Sequence, residues 1–351
     1  MTQAIASIQR QDVSGPVRSA SWLLVAAGSE VGAAPVARTV DGLPLVLFRD
    51  SGGHVVALED RCPHKNVALS LGRVVGDTLQ CRYHGWRFST AGGLVDVPCH
   101  SPDERLPRCA VPAFPVVEQD GWIWLTLAPP GTPTGAPPRY ERSPGYRWFE
   151  LHNTVSAPVD LVLENGLDCS HTGFAHEGLF RSAPTQFVTA VIEETPTGVR
   201  VETLEGDTGG ARDVRRTLGR GRAIRHVDEV ILPHTLKVDY WIGDAAHVVT
   251  ILVCTPEAGE RTRLFTRMGV RYGRLLTPLV GRYVEWLTRR VVRQDLAILE
   301  SQAERIRGFG GRTFRNVMAD QPAAWMQRAR RRYEAGERPA LLRTRRVVYR
   351  L

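Results

Sequence analysis

Arg61-Cys62-Pro63-His64-Lys65 and Leu79-Gln80-Cys81-Arg82-Tyr83-His84-Gly85-Trp86 are the two stretches on which the reading of this chain turns. Each sets a Cys and a His in a short turn-like run: Cys62-x-His64 and, after sixteen intervening residues, Cys81-x-x-His84. Two thiolates and two imidazoles on paired loops can hold metal. One reading is a Cys2His2 zinc site, although the single-residue gap between Cys62 and His64 is tighter than the two to four residues usual in zinc motifs. The other is a [2Fe–2S] cluster with both Cys on one iron and both His on the other. Exchanging two anionic thiolates for neutral imidazoles makes such a cluster less negative and easier to reduce.

Outward from these loops, the first 128 residues read as β. Short apolar runs at 45–49, 54–58 and 122–127 are bounded by Gly, Asp and Pro. A Pro- and Gly-rich stretch from 129 onward fits neither helix nor strand and reads as a linker. Beyond it, 158–171 is helix-like, 187–270 carries several strands, and 206–222 reads as a mobile Gly- and Arg-rich loop. A long helix is expected over 278–307 and another around 321–335, the stretch 325–333 closing the domain at its surface. The second half is therefore α+β, an antiparallel sheet with helices.

Composition bounds the rest. With 351 residues, 43% hydrophobic and 23% charged, the chain has room for two domains, and disorder, collagen and a disulfide miniprotein are excluded. No apolar run reaches the 18 or more residues of a spanning helix. Six sparse cysteines and a start without leader character lead us to expect a cytoplasmic protein. The charge is 45 − 37 = +8, and all the basic residues except Lys65 and Lys237 are Arg. That excess reads as a solvated Arg-rich surface, because no zinc-finger or basic-zipper pattern points to nucleic acid.

A second constellation lies at 165–176, which holds Asn165, Asp168, His171 and His176. On one helix Asp168 and His171 would be i, i+3 neighbours. His176 would sit about 140° round from His171 unless the backbone turns, as Gly173 permits. The long helix supplies a carboxylate, since its apolar row runs Tyr283, Leu287, Val291, Asp295, Ile298 and Leu299. A buried Asp295 must be paired, with Arg289 or Arg293, or bound to metal. Glu300 is the rival, pointing about 140° away from Asp295.

Cys62-Pro63-His64, Cys81-x-Tyr83-His84-Gly85-Trp86 and the Asp96-Val97-Pro98 that follows Gly92-Gly93 resemble the Rieske domain of the Rieske-type non-haem iron oxygenases. The likeness covers nearly the whole chain, with 187–275 matching in general layout only. It implies an N-terminal antiparallel β Rieske [2Fe–2S] domain at 20–128, a linker at 129–145 and a helix-grip catalytic domain at 146–351. By the same resemblance Cys62, His64, Cys81 and His84 hold the cluster, and His171, His176 and Asp295 hold Fe(II). Asp168 would bridge that iron to the Rieske histidine of a neighbouring subunit, which implies a head-to-tail homotrimer, and Asn165 would lie beside the iron.

The implied activity is monooxygenation, by hydroxylation or oxidative demethylation, of a small organic substrate. It would use O2 and electrons from NAD(P)H through a reductase or ferredoxin, with no nucleic acid and no membrane involved. Arene cis-dihydroxylation and a pure electron carrier are the rival readings. His152, His226, His234 and His247 read as structural, and Cys99, Cys109, Cys169 and Cys254 as incidental or core residues. Trp86 and Phe88 are expected to cover the cluster or fill the core.

Overall fold

The short apolar runs of the first third pair into three small antiparallel sheets. The computed structural model describes residues 21–101, 103–128, 135–177, 179, 187–205, 224–243, 246–337 and 341–351. One sheet joins Trp22–Ala27, Trp122–Thr126 and Val116–Gln119. A second joins Val36–Val40, Leu43–Arg49, Val55–Glu59 and Ala113–Phe114, and a third Arg73–Val75, Thr78–Gln80, Arg87–Ser89 and Leu94–Asp96. Their strands are short; one Cys–His loop follows Val55–Glu59 of the second sheet, and the other joins Thr78–Gln80 to Arg87–Ser89 of the third. Phe88, fully buried, fills the core beneath them with Val46, Phe48, Leu69 and Leu79.

The second half is an eight-stranded antiparallel sheet in the order 147–155, 262–272, 246–256, 235–242, 224–231, 198–205, 187–195, 344–350. Period-two burial is clear on Phe187–Thr195, where Val188, Ala190 and Ile192 face the core and their neighbours face outward. The last strand, Thr344–Arg350, was hidden in the sequence by its arginines; only Val347 and Tyr349 are buried. Of the expected loop and linker, 206–222 and 129–134 lie outside the described residues.

Among the described residues four α-helices accompany the sheet. The helix read over 158–171 is shorter, ending at Leu167 (α1, Val159–Leu167), and Thr172–Ala175 forms a separate turn (α2). Asp168 is already extended, with φ −83° and ψ 102°. Its Oδ1 accepts hydrogen bonds from Ser170 N at 2.7 Å and Ser170 Oγ at 2.6 Å, a local arrangement that competes with helix propagation. Asp168 and His171 are therefore neighbours across a turn and do not share a helix face.

The long helix runs Gly273–Gly308 (α3), beginning a turn earlier than Pro278 suggested. Thr277 Oγ1 donates to Gly273 O and accepts from Tyr272 N, which stabilises that extra turn. Its buried row is Val284, Leu287, Thr288, Leu299 and Ala303, so Tyr283 and Ile298 of the expected row are exposed. The face is centred slightly further round the helix and still includes Asp295. Gln321–Glu334 (α4) is more than a surface helix, since it buries Trp325, Met326 and Ala329 in the main core.

Arg267 joins the two halves. Its side chain is 0% exposed and lies 3.8 Å from the Trp122 ring centre. It donates to Glu150 Oε1 at 2.8 Å and to the carbonyls of Tyr140 and Asp120, both at 2.7 Å. Beside it His152 lies 3.5 Å from a Glu150 oxygen and 3.6 Å from a Glu30 oxygen. These carboxylates, Glu150 before Glu30, hold the His152 imidazole up at about 9 against its burial. Arg267→Met should cost about 3–5 kcal/mol, the usual penalty for breaking a buried ion pair, measured as a drop in unfolding free energy. A raised imidazole stabilises the fold fully below its ordinary value of 6.5 and loses that contribution as pH rises through 9. The denaturant midpoint should therefore fall across that window, and His152→Gln should flatten the fall.

Candidate active site with two metal-binding centres

The two Cys–His loops are built alike. Cys62 N donates to Val67 O at 2.9 Å and Asn66 N to Cys62 O at 2.8 Å; Cys81 N donates to Trp86 O at 2.8 Å and Gly85 N to Cys81 O at 3.0 Å. In both, the fourth residue after the Cys is left-handed, Asn66 at φ 60° and Gly85 at φ 73°. Asn tolerates that conformation, and Gly85 has the further constraint that a Cβ would meet Pro98 Cγ at 2.9 Å. The sulfurs point inward, Cys62 being 2% and Cys81 3% exposed. The imidazoles sit at the half-buried rim, 4.5 Å apart between ring centres, and Trp86 stacks on His64 at 4.5 Å with an interplanar angle of 3°.

This geometry separates the two readings of the motif. A single tetrahedral ion needs its donors close about one point, yet no three of these four side chains bring ligand atoms within 4.8 Å of one another. Thiols at one end and imidazoles at the other suit a two-iron cluster. Burial, with the neighbouring Cys81 thiol adding to it, pushes the Cys62 thiol up to about 11, so its thiolate depends on a bound cation. His84 Nδ1 is buried with no hydrogen-bond partner, as a ligand nitrogen would be.

The second centre gathers residues from two elements. His171 and His176 flank α2, and Asp295 reaches them from α3. Asp295 Oδ1 lies 3.1 Å from His176 Nε2 and 3.4 Å from His171 Nε2, and the imidazole rings are 5.2 Å apart. Asp295 has no arginine partner among the described residues: Arg289 pairs with Glu285, and Arg293 donates to the Arg289 carbonyl. Glu300 accepts from Ser156 N, well away from the pair of histidines. Asp295 Oδ1 is buried and lacks a hydrogen bond despite two imidazoles beside it, which marks a site built for a cation. Burial raises the Asp295 carboxyl, but His171 and His176 outweigh it and hold it below the ordinary range. Burial likewise lowers His171, yet Asp168 and Asp295 hold it at about 9.

Two neighbours orient these donors. Gln294 Oε1 lies 3.0 Å from His176 Nδ1, so a proton on Nδ1 leaves Nε2 free to ligate. Nothing periodic in the sequence pointed to Gln294. Asp168 Oδ2 lies 3.6 Å from His171 Nδ1, an ion-pair distance longer than a hydrogen bond. The Asn165 side chain, on the last turn of α1, makes no hydrogen bond among the described residues; its carbonyl accepts from Asp168 N. Cys169, read as an incidental or core residue, lies in the turn after α1. It turns inward beside His226 and Asp228.

Fold and donor sets together define a protein with two metal centres, a cluster-binding β domain ahead of a mononuclear site on a helix-covered sheet. Residues 21–115 match the Rieske [2Fe-2S] domain, and residues 155–336 match the vanillate O-demethylase oxygenase C-terminal domain. The chain belongs to the Rieske non-haem iron oxygenase family. It is 29% identical over 346 residues to the oxygenase component of chloroacetanilide N-alkylformylase from Rhizorhabdus wittichii, covering 93% of this chain and 91% of that one. It is 27% identical over 281 residues to the chloroplast protein TIC 55 of Arabidopsis thaliana, covering 77% and 50%. The structure of dicamba monooxygenase bound to dicamba shares the fold, with TM-score 0.76 and 24% identity over 91% of this chain and 98% of that one. The chain spans about half the length of several curated relatives it matches. The family's cofactors are a Rieske [2Fe–2S] cluster and a mononuclear non-haem iron, and the two donor sets fit them.

Gln294→Leu leaves His176 without its orienting acceptor. Affinity of the second centre for Fe(II), titrated in anaerobic protein, should fall about 10- to 100-fold.

Proposed function

We propose that the chain is the oxygenase component of a system that monooxygenates a small organic substrate, by hydroxylation or oxidative demethylation. O2 would be its oxidant, and electrons from NAD(P)H would arrive through a reductase or ferredoxin. Cys62 and Cys81 on one side, His64 and His84 on the other, hold the [2Fe–2S] cluster, and His171, His176 and Asp295 hold Fe(II). The observation that carries this reading is the convergence of His171, His176 and Asp295 around a carboxylate oxygen that lacks a hydrogen bond. Two imidazoles and one carboxylate leave positions open on Fe(II), and the iron supplies the oxygen chemistry there.

The protein's own part is orientation and charge. Gln294 and Asp168 set the two imidazoles, each from its Nδ1 side. Asp168 is 32% exposed, so its carboxylate is reachable from outside the chain. That exposure, with His64 and His84 at the rim of their own domain, supports a head-to-tail homotrimer in which Asp168 meets the imidazole pair of a neighbouring copy. Asn165 is assigned a polar role near the iron. Among the described residues no helix is long and apolar enough to cross a membrane. None of the six cysteines forms a disulfide among the described residues, which supports a cytoplasmic location.

Single turnover of pre-reduced protein under ¹⁸O₂, offered small aromatics, alkaloids and methyl ethers, tests the activity. One labelled oxygen gained or one methyl lost is the expected product; two labelled oxygens in one product would mean dihydroxylation instead. Asp168→Asn should keep both iron centres, counted by iron analysis and EPR, while turnover falls by about 100-fold or more. Unchanged turnover in that variant would remove Asp168 from the electron path.

A further inference from the structure

Three side chains outside both centres repeat the signature of the mononuclear site. His226 and Asp228 stand two apart on the strand Ile224–Ile231, so they share one face of the sheet. Cys169 drops onto that face from the turn that follows α1. All three are buried, at 7% exposure for Cys169, 2% for His226 and 1% for Asp228, and their ligand atoms lie within 4.8 Å of one another.

Cys169 Sγ is 3.5 Å from His226 Nδ1 and donates to Asp228 Oδ2 at 3.7 Å, both contacts with hydrogen-bond geometry. The edges of a zinc tetrahedron between sulfur and nitrogen or oxygen are about 3.5 Å at the usual bond lengths. His226 Nε2 and Asp228 Oδ1 approach to 2.8 Å, yet each is buried with no hydrogen-bond partner. Asp295 Oδ1 shows the same pattern against His176. The bonds to Cys169 occupy His226 Nδ1 and Asp228 Oδ2 but leave Nε2 and Oδ1 unmet, which is costly.

The donors are held in place. Tyr240 stacks on the His226 ring at 3.9 Å and 14°, and the Asp168–Ser170 turn fixes the backbone on either side of Cys169. One sulfur, one nitrogen and one oxygen form a borderline-soft set that suits Zn²⁺.

We propose that Cys169, His226 and Asp228 bind a structural zinc ion that fastens the turn bearing Asp168 and His171 to the sheet. This site is separate from both iron centres and does not depend on the oxygenase reading.

The test uses the full chain with both iron centres loaded, equilibrated with Zn²⁺ and desalted, then measured by metal analysis and zinc-edge X-ray absorption. The expected result is one zinc per chain with a single sulfur at about 2.3 Å and the remaining ligands nitrogen or oxygen. The sulfur count separates the possible sites: none would place zinc at His171, His176 and Asp295, and two would place it at Cys62 and Cys81. Either of those results, or no bound zinc, overturns the proposal. Cys169→Ser should lose the sulfur and weaken zinc binding beyond the about 100-fold that loss of an outer partner alone costs, with the cluster spectrum unchanged. Asp228→Asn, which keeps the side-chain shape, should weaken zinc while the sulfur remains. Zinc retained at full affinity in both variants would also sink the site.

Discussion

A carboxylate on the inward face of a 36-residue helix is the constraint around which the catalytic half is arranged. Asp295 sits in a row whose other members are Leu287, Thr288 and Leu299, where an uncompensated charge would be expensive. Two imidazoles compensate it, and both must arrive from one short segment. A continuous helix over 158–176 could not deliver them, because residues five apart diverge by about 140°. The chain instead breaks at Asp168 and turns, so that His171 and His176 bracket α2 and both present Nε2 to the same oxygen. Asp168 makes the break by binding the amide and hydroxyl of Ser170 with one oxygen, while the other faces His171 Nδ1. The residue that ends the helix thus also orients a donor.

In the N-terminal half the equivalent constraint is a gradient of burial across one small site. The loops share a fold down to the hydrogen bonds that close them, but the His falls two residues after Cys62 and three after Cys81. The left-handed fourth residue turns each loop back over its own cysteine, so the sulfurs are sealed while the imidazoles stay at the rim. Trp86 covers His64 and limits water on that side without closing the outer edge. A cluster held by these loops would meet its two thiolates in the sealed interior and its two imidazoles at the rim.

Much of this was legible in the sequence, and the reason is local. Cys62-x-His64 and Cys81-x-x-His84 are short motifs whose chemistry survives without tertiary context, and Asp295 stood out because it interrupted an apolar row. The break at Asp168 was less legible, since 158–171 has helical periodicity throughout and only the Asp–Ser hydrogen bonds defeat it. Gln294 left no mark because its role depends on where His176 comes to rest. The final strand was masked by arginines at its exposed positions, and α4 by the same composition around a narrow stripe of Trp325, Met326 and Ala329. His226 and Asp228 alternate along a strand in a way that sequence alone cannot distinguish from a solvated polar edge. Cys169 lies 57 residues from His226, a contact no local pattern encodes.

The join between the halves completes the logic. Arg267 reaches out of the large sheet to the carbonyls of Asp120, ahead of the linker, and Tyr140, within it, and packs over Trp122. Its guanidinium offers a planar fork whose donors meet fixed acceptors in three directions, a geometry a lysine could not reproduce. His152, between Glu150 and Glu30, adds a second polar contact across the same seam. A seam made of directional bonds and one stacked ring fixes the orientation of the domains more tightly than an apolar patch of equal area, because sliding would break each bond at once.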